Sequence, residues 1–429
     1  MAPPPAPDPR TARRREDLGL IFLAKGLRAA AYGALSGFLF LYLADDLGFS
    51  TFNSLAVTSL TLIGAAAWNL VALAPLEHRL GRRRTIALFA GLFVLSATLL
   101  FLSADPYVVL AAVFLGGVSA STADNGPLAS LDQAILPSVL SRRARTRGFA
   151  VYHLIAYYAA AGGALLLVVP GALAPHDLGF LPSAPHAWIL LIYLVLALTT
   201  WVTYAGLSDA VEVSERAAAS PPPPLPAEVR GHVRALALLF GVDAFAGGLV
   251  INPVLTAFFV VAWHQGDASI GLILSLAGAV AGTSFLFADP IARRIGLLRT
   301  MVVTHLPSNV LLLLVPLMPS FPLALAMLLG RSALSQMDVP TRQSYTMSLV
   351  DRRDRPRVAG TLAGARGVAQ SAGPFPAVAF DAAGLLAAPF LLGGGLKIVY
   401  DLVLYRRFRG VRVPDEDPTA TSSDATRRG

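Results

Sequence analysis

Five basic side chains, Lys25, Arg28, Arg331, Arg366 and Lys397, stand inside long apolar stretches, and Asp243 is the one acid read at comparable depth. A charge at the centre of a bilayer-spanning helix costs at least ~2.5–3.5 kcal/mol, so each needs a counter-charge, a carbonyl or water. Counting from the nearest arginine cluster puts four of them at one level. Lys25 is ten residues from Arg15, Asp243 nine from Arg234, Arg366 nine from Arg357 and Lys397 nine from Arg406. At ~1.5 Å of rise per residue, these heads lie roughly 13–15 Å into the apolar layer, near its middle. Two readings stand for Lys25 and Asp243: a coupling acid facing a base that binds substrate, or an ion pair that only braces the molecule. The same alternatives hold for Arg28, Arg331 and Arg366, with arginine suited to grip a carboxylate through two parallel hydrogen bonds. Lys397 has Asp401 four residues on, at salt-bridge spacing, and that pair is expected to be structural.

The elements that must position these charges are twelve apolar stretches of about membrane-spanning length. They are expected at 18–44, 52–75, 85–103, 107–128, 148–171, 186–207, 235–262, 269–290, 301–319, 322–340, 358–380 and 387–405. Their loops alternate in basic content. Arg10 to Arg15, Arg79 to Arg84, Arg142 to Arg147, Arg230 with Arg234, Arg293 to Arg299, Arg342 to Arg357 and Arg406 to Arg412 mark one side; the loops between carry no Lys or Arg. Basic loops stay cytoplasmic during insertion, so an even number of spans with both termini inside is expected. The chain is 55% hydrophobic and 14% charged, with mean hydropathy +0.63, which excludes a water-soluble globule. A net charge of +8 held in short loops sets topology and does not suggest a nucleic-acid partner. There is no cysteine, so neither disulfide nor thiolate chemistry is expected. No phosphate loop, metal constellation or serine–histidine arrangement is found, so no cofactor and no enzymatic reaction are expected.

Ser208 to His232 is the one long polar break and contains Pro221 to Pro224, the composition of a stiff linker. The expected organisation is a disordered cytoplasmic start at 1–17, a six-helix bundle at 18–207, a linker at 208–234, a second bundle at 235–405 and a cytoplasmic tail at 406–429. The halves read as copies. RLGRRRT at 79–85 matches RIGLLRT at 294–300, and RRARTR at 142–147 matches RRDRPR at 352–357, at offsets of 215 and 210. Gly116 with Asp124 matches Gly330 with Asp338, and Phe22 matches Phe240, which makes Lys25 and Asp243 repeat equivalents. A duplicated unit with an even number of spans gives parallel repeats about an axis along the membrane normal.

Twelve spans, a central linker and the R-x-G-x-x-R turn between helices 2 and 3, echoed between 8 and 9, resemble the major facilitator superfamily over about residues 16–412. Arg79, Gly81, Arg82 and Arg83 match the family's loop motif, as do Arg294 and Gly296 in the second copy. His78 and Arg293 stand at its acidic position and Ala74 at its leading glycine. Gly117 replaces the mid-membrane arginine of the proton-coupled drug antiporters, and their helix-5 GP pair is missing, although Gly373–Pro374 occurs in helix 11. MDVPTRQSY at 337–345 looks like bacterial members of the family. The resemblance implies the twelve-helix fold and gives Arg79, Gly81, Arg82, Arg83, Arg294 and Gly296 a place in a cytoplasmic gate. Asp124 and Asp338, at the ends of helices 4 and 10, either latch that gate through loop arginines or are solvated helix ends. His153, Tyr157 and Tyr158 read as packed aromatics, and His305 as a satisfied structural histidine.

These features point to a secondary active transporter with alternating access, a midplane site and a small-molecule substrate. A coupling proton and a monomer in the bacterial plasma (inner) membrane are expected. Five deep bases against one acid favour an anionic or carboxylate-bearing solute. The alternatives are a non-transporting membrane sensor or assembly partner on the same scaffold, and a multidrug efflux antiporter.

Overall fold

The computed structural model describes residues 9–116, 126–140, 145–168, 187–212, 225–350 and 354–411. Regular structure among them is helical throughout, as it must be where hydrocarbon offers no partner for a backbone N–H or C=O. The chain forms two compact units, Met1–Ala219 with Ile251–Ala279, and Ser220–Val250 with Val280–Gly429.

The first unit begins with α1 (Pro9–Leu41), which ends in a π-helical turn at Tyr42–Asp46. Next come α2 (Thr51–Ala67), α3 (Leu73–Leu80), α4 (Arg82–Leu102) and α5 (Pro106–Leu115). Their starts follow local rules. Ser50 accepts from the Asn53 N–H at 3.2 Å, and Asp105 accepts from the Tyr107 and Val108 N–H groups ahead of a proline at the first helical position. The unit continues with α6 (Pro127–Val139), α7 (Arg145–Ala164) and α8 (Ala187–Ala205).

The expected seventh span is two helices, α9 (Ala227–Leu249) and α10 (Asn252–Trp263). Val250 leaves helical geometry at φ −126°, and Pro253, which has no N–H to donate, opens α10. Ile251–Ala279, meaning α10 and the start of α11 (Asp267–Ile295), packs with the first unit, where Asn252 donates to the Ser36 hydroxyl at 3.0 Å. The second unit holds α9, the rest of α11, α12 (Leu297–Leu314), α13 (Phe321–Ser335), α14 (Asp338–Ser348), α15 (Arg355–Ala372), α16 (Pro374–Ala382) and α17 (Ala388–Phe408).

Nine helical stretches among the described residues are long and apolar enough to cross a membrane. Of the other three expected spans, 322–340 and 358–380 are interrupted, and 107–128 is described only at 107–116 and 126–128. Helix α5 stops at Leu115, α13 gives way to α14 at Gln336–Met337, and α15 gives way to α16 at Gly373–Pro374. Asp124 and Gly117, the proline run Pro221 to Pro224 and the tail from Arg412 lie outside the described residues.

Internal geometry repeats between the units. Gly81 and Gly296 precede α4 and α12 with φ of 80° and 86°, a left-handed conformation open to glycine but strained for other residues. The contact of the first and fifth helices repeats too. A Cβ on Gly163 would stand 1.9 Å from the Ala30 carbonyl oxygen, and one on Gly373 would stand 2.5 Å from the Gly248 Cα. Ala30 with Gly248 and Gly163 with Gly373 keep the offsets of 218 and 210 found in the sequence. Small residues let these backbones touch where lipid provides no hydrophobic drive between helices.

Candidate functional site

Each unit carries a buried cluster of charge. In the first, α1 supplies Lys25 and Arg28 on one face, three residues apart. Arg28 is fully buried, and its Nη2 donates to Asp132 Oδ2 on α6 at 2.8 Å. Arg28 also donates to the Tyr204 hydroxyl of α8. That hydroxyl donates to Asp132 Oδ1 at 2.9 Å, and the Tyr152 hydroxyl of α7 donates to Asp132 Oδ2 at 2.9 Å. Lys25, equally sealed, sits 4.7 Å from the centroid of the Tyr152 ring, within cation–π range. The anion is thus met by a guanidinium and two phenols, the full pairing that a buried carboxylate requires.

In the second unit the acid lies on the first helix of the repeat. Asp243 of α9 is 3% exposed. Its Oδ2 accepts from Arg342 Nη1 of α14 at 3.2 Å and from Arg366 Nη1 of α15 at 2.9 Å. Its Oδ1 accepts from Lys397 Nζ of α17 at 2.5 Å and stands 3.7 Å from His305 Nε2 of α12. Arg342 also donates to Asp338 Oδ2, one helical turn back, at 2.9 Å, and lies 5.4 Å from the Phe240 ring centroid. His305 Nδ1 meets Asp401 Oδ1 at 2.9 Å, and Asn309 donates to Asp401 Oδ2 at 2.9 Å. The Arg366 side chain keeps 29% of its surface exposed, against 9% or less for Arg342, Lys397 and Asp243.

The two clusters exchange charge at two repeat positions, although Arg28, the partner of Asp132, has Ala246 as its repeat mate. LDQAILPS at 131–138 aligns with TRQSYTMS at 341–348 at the offset of 210, placing Asp132 opposite Arg342, while Lys25 stands opposite Asp243. In the first unit a base on the first helix pairs with an acid on the short helix that follows the fourth span. In the second, an acid pairs with a base. Helix α14 follows a break at Gln336–Met337, and α6 begins at Pro127 after residues 117–125, which lie outside the described ones.

Several expectations change. Asp243, Arg366 and Lys397, placed at one depth by counting, do meet. Lys397 does not pair with Asp401, however. It reaches across to Asp243, while Asp401 takes His305 and Asn309, because partners on neighbouring helices displace the partner four residues along the same helix. Asp243 is not the only deep acid, since Asp132, Asp338 and Asp401 are also buried. With Arg342 added to the bases, the excess of positive charge is smaller than five to one. Asp243 takes three cations of its own unit as partners, and Lys25 belongs to the Tyr152–Asp132 side of the other unit. Arg331 on α13 is half-buried and outside the Asp243 set, and its carbonyl accepts from Ser308. Asp338 does not latch an exposed loop, because Arg342 lies in a buried helix and not in a loop. His305 Nδ1 meets Asp401 at 2.9 Å, while Nε2 stands 3.7 Å from Asp243, beyond hydrogen-bond reach.

At the expected gate, Arg79 and Arg294 are exposed. Sequence reasoning missed the partner there. The Glu212 carboxylate accepts from the backbone N–H groups of Arg82 (2.8 Å) and Arg83 (3.0 Å), capping α4 where Gly81 offers no side chain. Arg83 pairs with Asp209 at 2.9 Å, and Arg82 with Glu77 at 2.7 Å.

The comparisons with known proteins agree with this architecture. The family model described as Major Facilitator Superfamily matches residues 21–374. The chain is 23% identical over 430 residues to the "Uncharacterized membrane protein YJR124C" of Saccharomyces cerevisiae, covering 92% of this chain and 94% of the yeast protein. That relative is fungal, so the bacterial look of residues 337–345 does not establish a bacterial branch. Among solved structures, the human organic anion transporter MFSD10 matches with a TM-score of 0.63 at 19% identity, over 94% of this chain and all of that one. An auto-inhibited POT family peptide transporter matches with a TM-score of 0.68 at 13% identity, over 92% of this chain and 97% of that one. At these identities the structural matches establish the fold alone, but the family model spans most of the sequence, and the chain belongs to the major facilitator superfamily of membrane transporters.

Proposed function

We propose that this protein is a secondary active transporter that moves a small anionic or carboxylate-bearing solute by alternating access, coupled to protons, as a monomer. The observation that carries this reading is the Asp243 cluster. It gathers three cations about one buried acid next to an interrupted span, and one of them, Arg366, retains exposed surface. A partly exposed guanidinium at that depth is suited to a carboxylate. The deep bases, Lys25, Arg28, Arg331, Arg342, Arg366 and Lys397, still outnumber the acids Asp132, Asp243, Asp338 and Asp401. The description of the human structural neighbour as an organic anion transporter points the same way. A gate at Arg79, Gly81, Arg82, Arg83, Arg294 and Gly296 belongs to the same proposal, with Asp124 as its first-copy acid. Asp338 is assigned instead to the Asp243 cluster.

The test is uptake into proteoliposomes across a panel of organic anions, with and without a proton gradient. Accumulation of at least one anion that collapses with the gradient is expected; no accumulation of any member overturns the reading. The competing view, a non-transporting sensor, is favoured by the complete burial of Arg28 and Lys25 and predicts that outcome.

The arginine-rich loops support a plasma (inner) membrane protein with both termini cytoplasmic. With no native cysteine, Ser183→Cys should react with an impermeant thiol reagent added outside, and Ser220→Cys should not. The reverse result removes this topology.

A further inference from the structure

The geometry points to His305, and not Asp243, as the group that takes up the coupling proton, with Lys397 released from Asp243 as the consequence. The inference rests on the transporter reading above and deepens it.

Asp243 is poorly placed to hold a proton, since the nearest acceptor, His305 Nε2, stands 3.7 Å away, beyond hydrogen-bond reach. The described partners of Asp243, Arg342, Arg366 and Lys397, are donors only, so a protonated Asp243 would point an O–H at groups that cannot accept it. His305 differs. Its Nδ1 lies 2.9 Å from Asp401 Oδ1, and Asp401 Oδ2 is held by Asn309. Asn309 Nδ2 also stands 3.1 Å from Nδ1, but it donates to Asp401 Oδ2 at the shorter distance, so with Asp401 taken as the carboxylate the ring hydrogen is assigned to Nδ1 from its partners. Nε2 then carries the lone pair and faces Asp243 Oδ1 at 3.7 Å, just beyond hydrogen-bond reach.

Proton uptake is therefore simple to balance. Nε2 takes one proton from solvent, neutral imidazole becomes imidazolium, and the new N–H is directed at Asp243 Oδ1. That same oxygen is the one Lys397 holds at 2.5 Å, whereas Arg342 and Arg366 hold Oδ2. Imidazolium and ammonium compete for one oxygen, and the arginines keep the carboxylate in place. Lys397 lies on α17 one turn from Asp401, so the exchange couples α9, α12 and α17. With His305 neutral, Asp243, Asp338 and Asp401 balance Arg342, Arg366 and Lys397. With His305 charged, the cluster carries one excess positive charge, and an anion is favoured.

The charged groups on the elements packed against α12 are these, with Arg331 of α13, whose carbonyl accepts from Ser308 one turn from His305, adding a cation on that side. Helix α17 presents Asp401, Lys397 and Tyr400, whose ring centroid is 5.9 Å from the imidazole. Helix α9 presents Asp243; Arg342 with Asp338 from α14 and Arg366 from α15 are engaged at Asp243 Oδ2 or with each other. The His305 side chain itself is 6% exposed.

The chain has two lysines, Lys25 and Lys397, so protein labelled with 15N at lysine Nζ gives two side-chain ammonium signals. The full chain is titrated in lipid nanodiscs by NMR, with 15N-labelled histidine followed in parallel. The Lys397 signal should shift with pH at the midpoint of the His305 signal, while Lys25, in the other unit, does not follow. In His305→Gln the Lys397 shift should vanish with Lys25 unchanged. In Asp401→Asn, which keeps the imidazole and removes the anion at Nδ1, the transition should move toward lower pH by about tenfold or more in proton concentration. A Lys397 signal that titrates unchanged in His305→Gln, or is invariant while His305 titrates, overturns the inference. If His305→Gln does not fold, the Asp401→Asn arm decides alone, and an unmoved transition there is equally fatal. A shift as described in a protein that accumulates no organic anion leaves the proton switch standing and removes the transporter reading. Accumulation with an invariant Lys397 removes the switch alone.

Discussion

The two units hold the same kind of cluster at matching positions, and they differ in sign and in closure. In the first, Asp132 is locked by Arg28, Tyr152 and Tyr204, and no member of the Arg28–Asp132 pair has exposed surface. In the second, Asp243 is shared among Arg342, Arg366 and Lys397, with His305 close behind and Arg366 partly open. The first cluster has the features of a brace and the second those of a switch. A duplicated unit can keep the location of a buried ion pair, where the helices demand one, while the exchange of acid and base leaves one copy free for another role.

Breaking the first cluster should give the largest effect. Arg28→Ala leaves the Asp132 carboxylate buried without its cation, which costs about 3–5 kcal/mol of stability. Thermal unfolding in detergent reads this directly. Replacing both partners with apolar residues, Arg28→Met with Asp132→Leu, should recover most of the loss. A mild effect of Arg28→Ala would erase the distinction between the units.

Arg366→Ala should invert the pattern. Asp243 keeps Arg342 and Lys397, so no buried charge is left without a cation, and stability should change by about 1 kcal/mol or less. Uptake should fall by roughly tenfold or more, the loss expected for a charge-assisted hydrogen bond of ~1.5–3 kcal/mol. Arg366→Lys should fall between wild type and Arg366→Ala, because the charge stays and the paired donors go. Equal uptake by all three would place Arg366 with the braces.

A smaller effect belongs to the α4 cap. Glu212→Ala removes the acceptor for the Arg82 and Arg83 N–H groups and should cost about 0.5–2 kcal/mol. Unfolding measurements on this variant with and without Arg83→Ala, which removes the pair with Asp209, separate the cap from the neighbouring ion pair.

Much of the fold was legible because lipid imposes few solutions. Apolar runs and arginine alternation outlined the helices, and equal counts from the basic loops brought Asp243, Arg366 and Lys397 to one level. What escaped was the polar helix protected by protein. DVPTRQSYTMS at 338–348 carries too little apolar content to read as anything but loop, yet it forms α14 and buries Arg342. Asp132 escaped for a related reason, lying just past the expected end of the fourth span at 128. The signal was present in the repeat itself, since LDQ at 131–133 and TRQ at 341–343 keep the offset of 210. Lys397 with Asp401 shows the limit of local spacing. The i,i+4 rule names a possible pair, and the neighbouring helices decided otherwise.

The central claim, that the Asp243 cluster lines a pathway opening alternately to each side, is tested most directly by labelling a single cysteine in sealed vesicles. The chain has no native cysteine to interfere. Arg366→Cys, exposed to an impermeant thiol reagent from one side and then, in a separate sample, from the other, should react from both, at rates that change when a proton gradient is imposed. A thiol at 366 that neither side can reach would contradict the account and leave both clusters as braces.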